Sequence, residues 1–470
     1  MTPIVAVVGR PNVGKSTLFN RLAGGSLAIV DDQPGVTRDR HYAIAHLFGR
    51  NVTLVDTGGF DPESDDPMQQ GIARHVRAAI EEADVVLCVL DGSMPPTAAD
   101  REAIGLLRRG NKPVVYAANK IDTAARLSEA ADLYRLGIPE LVAVSALHGR
   151  GTAELAQAIA ALLPPFATAT EAEADGVPRV ALIGKPNAGK SSLFNRLAGE
   201  ERALVDSRPG TTRDPVDTRI AAAGREFIVV DTAGIRRHAR VERGIELVSV
   251  LRAIKALERA HVTVLMCDAT EGLTEQDARL VGLATERRRA VVVGLNKMDA
   301  VPKGERRAVE AQAREALSFA RWAPIMPLSA KTGAGVNDLM LAVGKAADEL
   351  KRRVSTAELN RFFRTVLERQ APPTHHGRAP RIYYITQAES SPPFFIAWAS
   401  HPEDIKVSYQ RFVENQIRHA FGFGSVPVTV HYRAREQTER AERRKPPERK
   451  GDDRRKAPER KGDKKRRESK

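Results

Sequence analysis

Gly9-Arg10-Pro11-Asn12-Val13-Gly14-Lys15-Ser16 decides the fold, because it returns 175 residues later as Gly184-Lys185-Pro186-Asn187-Ala188-Gly189-Lys190-Ser191. A GxxxxGK[ST] run between a strand and a helix wraps phosphates with backbone N–H groups. Its glycines permit the dihedrals and the close approach that this requires. The preceding residues, Ile4–Val8, form an apolar β-branched run, and a helical pattern follows. That helix turns its positive N-terminal end toward the anion.

The repetition extends outward at the same offset. Leu18-Phe19-Asn20-Arg21-Leu22-Ala23-Gly24 returns as Leu193-Phe194-Asn195-Arg196-Leu197-Ala198-Gly199, and Asp56-Thr57 as Asp231-Thr232. Thr37-Arg38-Asp39 returns as Thr212-Arg213-Asp214. Further on, Asn119-Lys120-Ile121-Asp122 matches Asn296-Lys297-Met298-Asp299, and Ser145-Ala146 matches Ser329-Ala330. The order is kept while the gaps widen, as in a duplicated domain with loop insertions. Short apolar runs (Ile4–Val8, Val52–Val55, Val85–Leu90, Val114–Ala117, Leu141–Val144) alternate with helical patterns, which predicts a mostly parallel sheet with helices on both faces. Ligands of such sheets sit beyond the carboxyl ends of the strands, where every repeated motif falls.

Each motif has a chemical reading. Lys15 and Lys190 should reach the β- and γ-phosphates, with Ser16 and Ser191 on magnesium. Asp56-Thr57-Gly58-Gly59 and Asp231-Thr232-Ala233-Gly234 each place an aspartate for magnesium and a glycine N–H for the γ-phosphate. Thr37 and Thr212 could join the metal when the γ-phosphate orders their loops. Asp122 and Asp299 can accept two hydrogen bonds from guanine N1–H and its exocyclic amine; adenine would leave such a carboxylate unpaired, so the site selects guanine. A backbone N–H at Ser145-Ala146 or Ser329-Ala330 could meet guanine O6. Phe60 and Ile235 follow the Asp-Thr-x-Gly motifs where many small GTPases carry a water-orienting glutamine, a route an apolar side chain closes.

The domain plan follows. Residues 1–165 and 179–353 are two tandem P-loop domains, with an acidic linker at 166–178. Residues 354–432 form a small α+β domain: helix Ala357–Arg369, strands Arg381–Thr386 and Pro393–Ala399, helix Ile405–Ala420, strand Val426–His431. Gly422 reads as a helix stop. Residues 433–470, without apolar content and with Pro447–Asp452 repeated as Pro458–Asp463, are a basic tail expected to be disordered.

The net charge of +14 implies an anionic partner, and the tail alone has eighteen Lys or Arg against nine acids. Cys88 and Cys267 sit in apolar runs as core thiols, which points to a reducing cytosol rather than a disulfide framework. No stretch approaches the roughly 18–20 apolar residues of a membrane span, and the N-terminal residues read as a strand rather than a signal peptide.

Two phosphate loops, two Asp-Thr-x-Gly motifs, two Asn-Lys-x-Asp motifs and a small α/β tail domain resemble the Der (EngA) family of bacterial double GTPases, over about Met1 to Tyr432. The resemblance implies a GTP-hydrolysing, cytoplasmic factor in assembly of the large ribosomal subunit, binding GTP, GDP and ribosomal RNA as a monomer without membrane contact. It implies a KH-like third domain, although the Gly-x-x-Gly loop by which KH domains clamp RNA is missing. It also implies a potassium ion in place of an arginine finger, held by the phosphate-loop asparagines Asn12 and Asn187; both also suit a simple loop-shaping role. The alternative is a nucleotide-gated RNA-binding scaffold with negligible turnover. The segment after the first switch motif is acidic (Asp61–Asp66) and the one after the second basic (Arg236–Arg243), so the two sites read as inputs with different outputs.

Overall fold

The computed structural model describes residues 2–24, 42–57, 76–77, 79–123, 126, 128, 130–165, 176–199, 217–232, 246–374 and 380–434. Strand β1 (Ile4–Val8) runs between β3 (Arg50–Asp56) and β4 (Val85–Asp91), parallel to both, and β5 (Val114–Asn119) and β6 (Val142–Ala143) continue the parallel pairing. All seven residues of β4 are buried, as expected of a central parallel strand covered on both faces. The sheet order is β2-β3-β1-β4-β5-β6.

Strand β2 (Tyr42–Leu47), not among the strands expected from the sequence, is an antiparallel edge on this mostly parallel sheet, paired Tyr42 to Val55 through Leu47 to Arg50. Phe48 and Gly49 turn it back onto β3 with φ of 43° and 76°. Two consecutive positive φ values give the hairpin turn whose twist suits the flanking strands.

The second copy repeats the plan. Strands β7 (Arg179–Ile183), β8 (Thr218–Ala222), β9 (Arg225–Val229), β10 (Val262–Asp268), β11 (Ala290–Asn296) and β12 (Ile325–Pro327) form a sheet of order β12-β11-β10-β7-β9-β8, with β8 the antiparallel edge. Ala223 and Gly224 (φ 52° and 73°) make the same turn.

The third domain opens with helix Thr356–Arg369, capped by the Ser355 hydroxyl accepting from the Glu358 N–H. Its sheet joins β13 (Ile382–Ser390) and β14 (Pro393–Ala399) antiparallel, and β15 (Thr429–Ala434) parallel to β14. Helix Val407–Phe421 ends at Gly422 in the left-handed conformation, as the sequence indicated.

Buried side chains of the second GTPase domain and the third domain form one continuous core, including Val343, Leu350, Phe363, Phe395 and Phe423. A second core crosses from the first GTPase domain to the second: Val76, Ala79, Ile80 and Ala83 pack with Leu251, Ile254 and Leu257. The helical residues 76, 77 and 79–82 and the helix Glu246–Arg259 that meet there each follow the Asp-Thr-x-Gly segment of their own domain. Glu82 fastens the joint, at 2.9 Å from Arg252 and 3.1 Å from Lys255. Burial pulls the Glu82 carboxyl upward, but hydrogen bonds and charge from Arg252 and Lys255 outweigh it and hold the group below the usual carboxylate range. Arg287, nearly buried, reaches the Thr53 hydroxyl of the first domain at 3.3 Å and lies 3.3 Å from Glu258.

Both cysteines are fully buried and free, and burial raises their thiols. Among the described residues no helix is long and apolar enough to cross a membrane.

Candidate functional site: two guanine-nucleotide sites

The phosphate loops lie where β1 and β7 hand over to the helices Lys15–Ala23 and Lys190–Gly199. Asn12 and Asn187 adopt left-handed φ of 64° and 63° and are exposed, which agrees with a loop-shaping role. Gly14 (φ 88°) and Gly189 (φ 96°) are irreplaceable sterically: a Cβ would fall 2.3 Å from the Asn119 side-chain nitrogen and 2.0 Å from that of Asn296.

The loop lysines fold back onto their own loops. Lys15 donates to the Arg10 carbonyl (2.8 Å), and Lys190 to the carbonyls of Gly184 (2.8 Å) and Lys185 (2.6 Å). Burial lowers both ammonium groups, Lys190 to about 8. A phosphate facing either ammonium would favour its charged form and oppose that lowering.

Ser16 donates to Asp56 at 2.8 Å, so the two oxygen donors expected on magnesium stand together, with the aspartate almost buried. Hard oxygen ligands beside a phosphate loop fit that ion. The second copy differs: Asp231 takes a left-handed φ of 56° and its N–H donates to Asp217. Asp217 is itself gripped by Arg179 (3.1 Å) and Arg259 (2.8 Å). Thr57 bonds the Val7 carbonyl and Thr232 accepts from Thr218, so each hydroxyl ties its strand end inward. Thr37, Gly58, Gly59, Phe60, Asp39, Thr212, Asp214, Ala233, Gly234 and Ile235 lie outside the described residues, as do both charged switch segments.

The base-reading motifs are braced identically. Asn119 donates to the Val13 carbonyl (2.8 Å) and accepts from the Ala146 N–H (2.9 Å); Asn296 does the same with Ala188 and Ala330 (2.8 Å each). Each asparagine therefore ties the phosphate loop to the Ser-Ala loop. The Ala146 and Ala330 N–H groups donate to these braces, and the Ser145 and Ser329 N–H groups to the carbonyls of Arg150 and Ala334. Lys120 and Lys297 hold left-handed φ values of 71° and 65°, and each pairs with a strand-end acid, Asp91 or Asp268. Strain of this kind gathers at functional sites. Asp122 accepts from Ser145 at 2.6 Å, and a hydrogen bond from Ser329 holds the Asp299 carboxyl below its usual range. The Asp299 carboxylate is thus kept ionised for the guanine edge.

Two supports were not foreseen. Arg21 donates to the carbonyls of Ala146 and Leu147, and Arg196 to Ala330 and Lys331, fixing the guanine loop from the first helix. The repeated Asn-Arg-Leu-Ala-Gly held that signal. Arg10 spans Asp91 (3.6 Å) and Asp100 (3.3 Å), whereas its counterpart Lys185 stands 3.9 Å from Asp277. The first phosphate loop is the more firmly tethered.

Fold and site together define a tandem P-loop GTPase. The family model described as 50S ribosome-binding GTPase matches residues 4–120 and again 179–297, and that of the C-terminal KH-domain-like region of EngA bacterial GTPases matches 353–433. The GTPase Der of Symbiobacterium thermophilum is 45% identical over 94% of this chain and 94% of its own length. That of Moorella thermoacetica is 44% identical over 92% and 98%, and that of Myxococcus xanthus 42% over 96% and 100%. The chain belongs to the Der family of double GTPases.

Proposed function

We propose that the protein is a cytoplasmic switch that hydrolyses GTP at both sites, with magnesium, and acts in assembly of the large ribosomal subunit by contacting its RNA as a monomer. The observation that carries the reading is the duplicated brace: in both copies one asparagine locks the phosphate loop to the base-reading loop, so neither site is a relic. Ser16 and Asp56 would hold magnesium, which neutralises charge developing between the β- and γ-phosphates. Lys15 and Lys190 supply the fixed positive charge opposite the γ-phosphate. Thr37 and Thr212 would sense that phosphate, and Asp122 and Asp299 select guanine. Potassium at Asn12 and Asn187 would stabilise the transition state in place of an arginine finger. Residues 1–165 and 179–353 act as the GTPase units, joined by the linker 166–178; 354–432 is the KH-like unit, and 433–470 adds sequence-blind phosphate affinity.

The ribosomal role is supported by the description of the family model that matches both GTPase domains. Sedimentation with purified large subunits in GTP analogue and in GDP tests it: association that depends on the nucleotide is expected, and equal or absent association refutes it. Turnover in potassium against sodium tests the cation. Faster hydrolysis in potassium is expected; no turnover in either would favour the RNA-binding scaffold.

A further inference from the structure

A cleft of about 1100 Å³ lies between the second GTPase domain and the KH-like helix Val407–Phe421. Its GTPase wall is the end of helix Glu275–Glu286 and the turn Ser318–Ala320 with the residues after it. The volume exceeds the roughly 300–1,000 Å³ of small-ligand pockets. Five cationic or titratable basic side chains line it: Arg288, Arg321, Arg411, Arg418 and His419. Two acids oppose them, and burial raises both: Glu286, and Glu414 to about 7. The cleft is therefore positive on balance.

Aromatic rings alternate with the charges. Trp322 and Phe412 line the same walls, with the Arg418 guanidinium 5.4 Å from the Trp322 ring centre. Arg288 lies 4.4 Å from the ring centre of Phe394. The walls are fixed relative to one another, because both domains share one buried core and the Val291 N–H of β11 donates to Ser425 at 3.0 Å.

We propose that this cleft binds a single-stranded segment of RNA. A positive groove that follows the backbone, with rings on which bases stack, is what unpaired nucleic acid requires. A concave site cannot enter the groove of a duplex, and unpaired bases are the part of RNA that can be splayed onto aromatic side chains. An acidic protein segment would meet the arginines but leave the rings without a stacking partner. The inference rests on the reading that the partner is RNA, and it puts the grip where no Gly-x-x-Gly loop is needed.

The two tryptophans of the chain allow a direct test. Trp398 stacks on Tyr384 at 4.3 Å in the third sheet, so Trp398→Phe keeps a ring there and leaves Trp322 as sole reporter. Full-length protein carrying Trp398→Phe is titrated with a fluorescein-labelled oligouridine 12-mer, with the same oligomer in a duplex, and with polyglutamate. Quenching of Trp322 by the single strand is expected. Arg321→Glu with Arg411→Glu should weaken single-strand binding tenfold or more and lower the salt slope by about 1.4, at about 0.7 per phosphate lost. Arg307→Glu with Arg314→Glu, the same charge change on helix Arg306–Ala316, should change it less than twofold. A silent Trp322 at saturating RNA, equal losses in the two double variants, or equal quenching by polyglutamate overturns the proposal. Cleft binding without any ribosomal-subunit association would sustain this site while removing the assembly role.

Discussion

Asn119→Ala should damage the first nucleotide site far more than the loss of one contact suggests. The side chain is 3% exposed and makes two bonds, to the Val13 carbonyl at 2.8 Å and from the Ala146 N–H at 2.9 Å. Its removal leaves a carbonyl and an N–H without partners beside residues that are themselves buried. Each such group costs about 1–3 kcal/mol, and water entering the gap offsets part, so the sum is about 2–4 kcal/mol. Because the brace holds the phosphate loop to the guanine loop, most of that should appear in nucleotide affinity, about 30- to 700-fold at roughly 1.4 kcal/mol per tenfold. The assay is stopped-flow binding of fluorescent GDP, resolving the two sites by comparison with Asn296→Ala. Each variant should weaken its own site and spare the other. A change under threefold with an unaltered melting temperature would refute the brace.

Glu82→Gln keeps the shape of the inter-domain joint but removes the charge facing Arg252 and Lys255. The pair is partly solvated, so about 1–2 kcal/mol of the joint should be lost; hydrogen exchange should rise in residues 76–82 and 246–259, and unchanged protection would contradict the contact. Lys190, lowered to about 8 by burial, should regain its full charge against a phosphate. At pH 8.5 GDP binding to the second site should take up roughly 0.7 proton, read by calorimetry in two buffers with Asp122→Asn weakening the first site. Zero uptake would show that the lysine is already fully charged in the empty site. Arg10→Lys should loosen the tether to Asp91 and Asp100 and speed GDP release from the first site, while Lys185→Arg slows it at the second; no change in either rate would dismiss the clamp.

The repeated motifs made the sites and the parallel sheets legible, because the phosphate loop and guanine carboxylate need fixed residue types at fixed places after strands. The edge strands β2 and β8 were not. Their hairpin turns carry Phe48 and Ala223 at a left-handed position where Asn or Asp would flag the turn, so neither announced itself. The bracing role of Asn119 and Asn296 was hidden for another reason. A side chain aimed at a ligand and one aimed at a neighbouring loop look the same in a motif, and only the fold separates them. The joint between the two GTPase domains was hidden as well, since an apolar helix face shows that it is covered and not by what.

The central claim is that one chain carries two working guanine sites. Titration with a fluorescent GTP analogue, followed by GTP turnover in Lys15→Ala and Lys190→Ala, tests it most directly. The account predicts two guanine nucleotides per chain, no displacement by ATP, and hydrolysis at the intact site of each variant. One nucleotide per chain, or displacement by ATP as readily as by GTP, would contradict it.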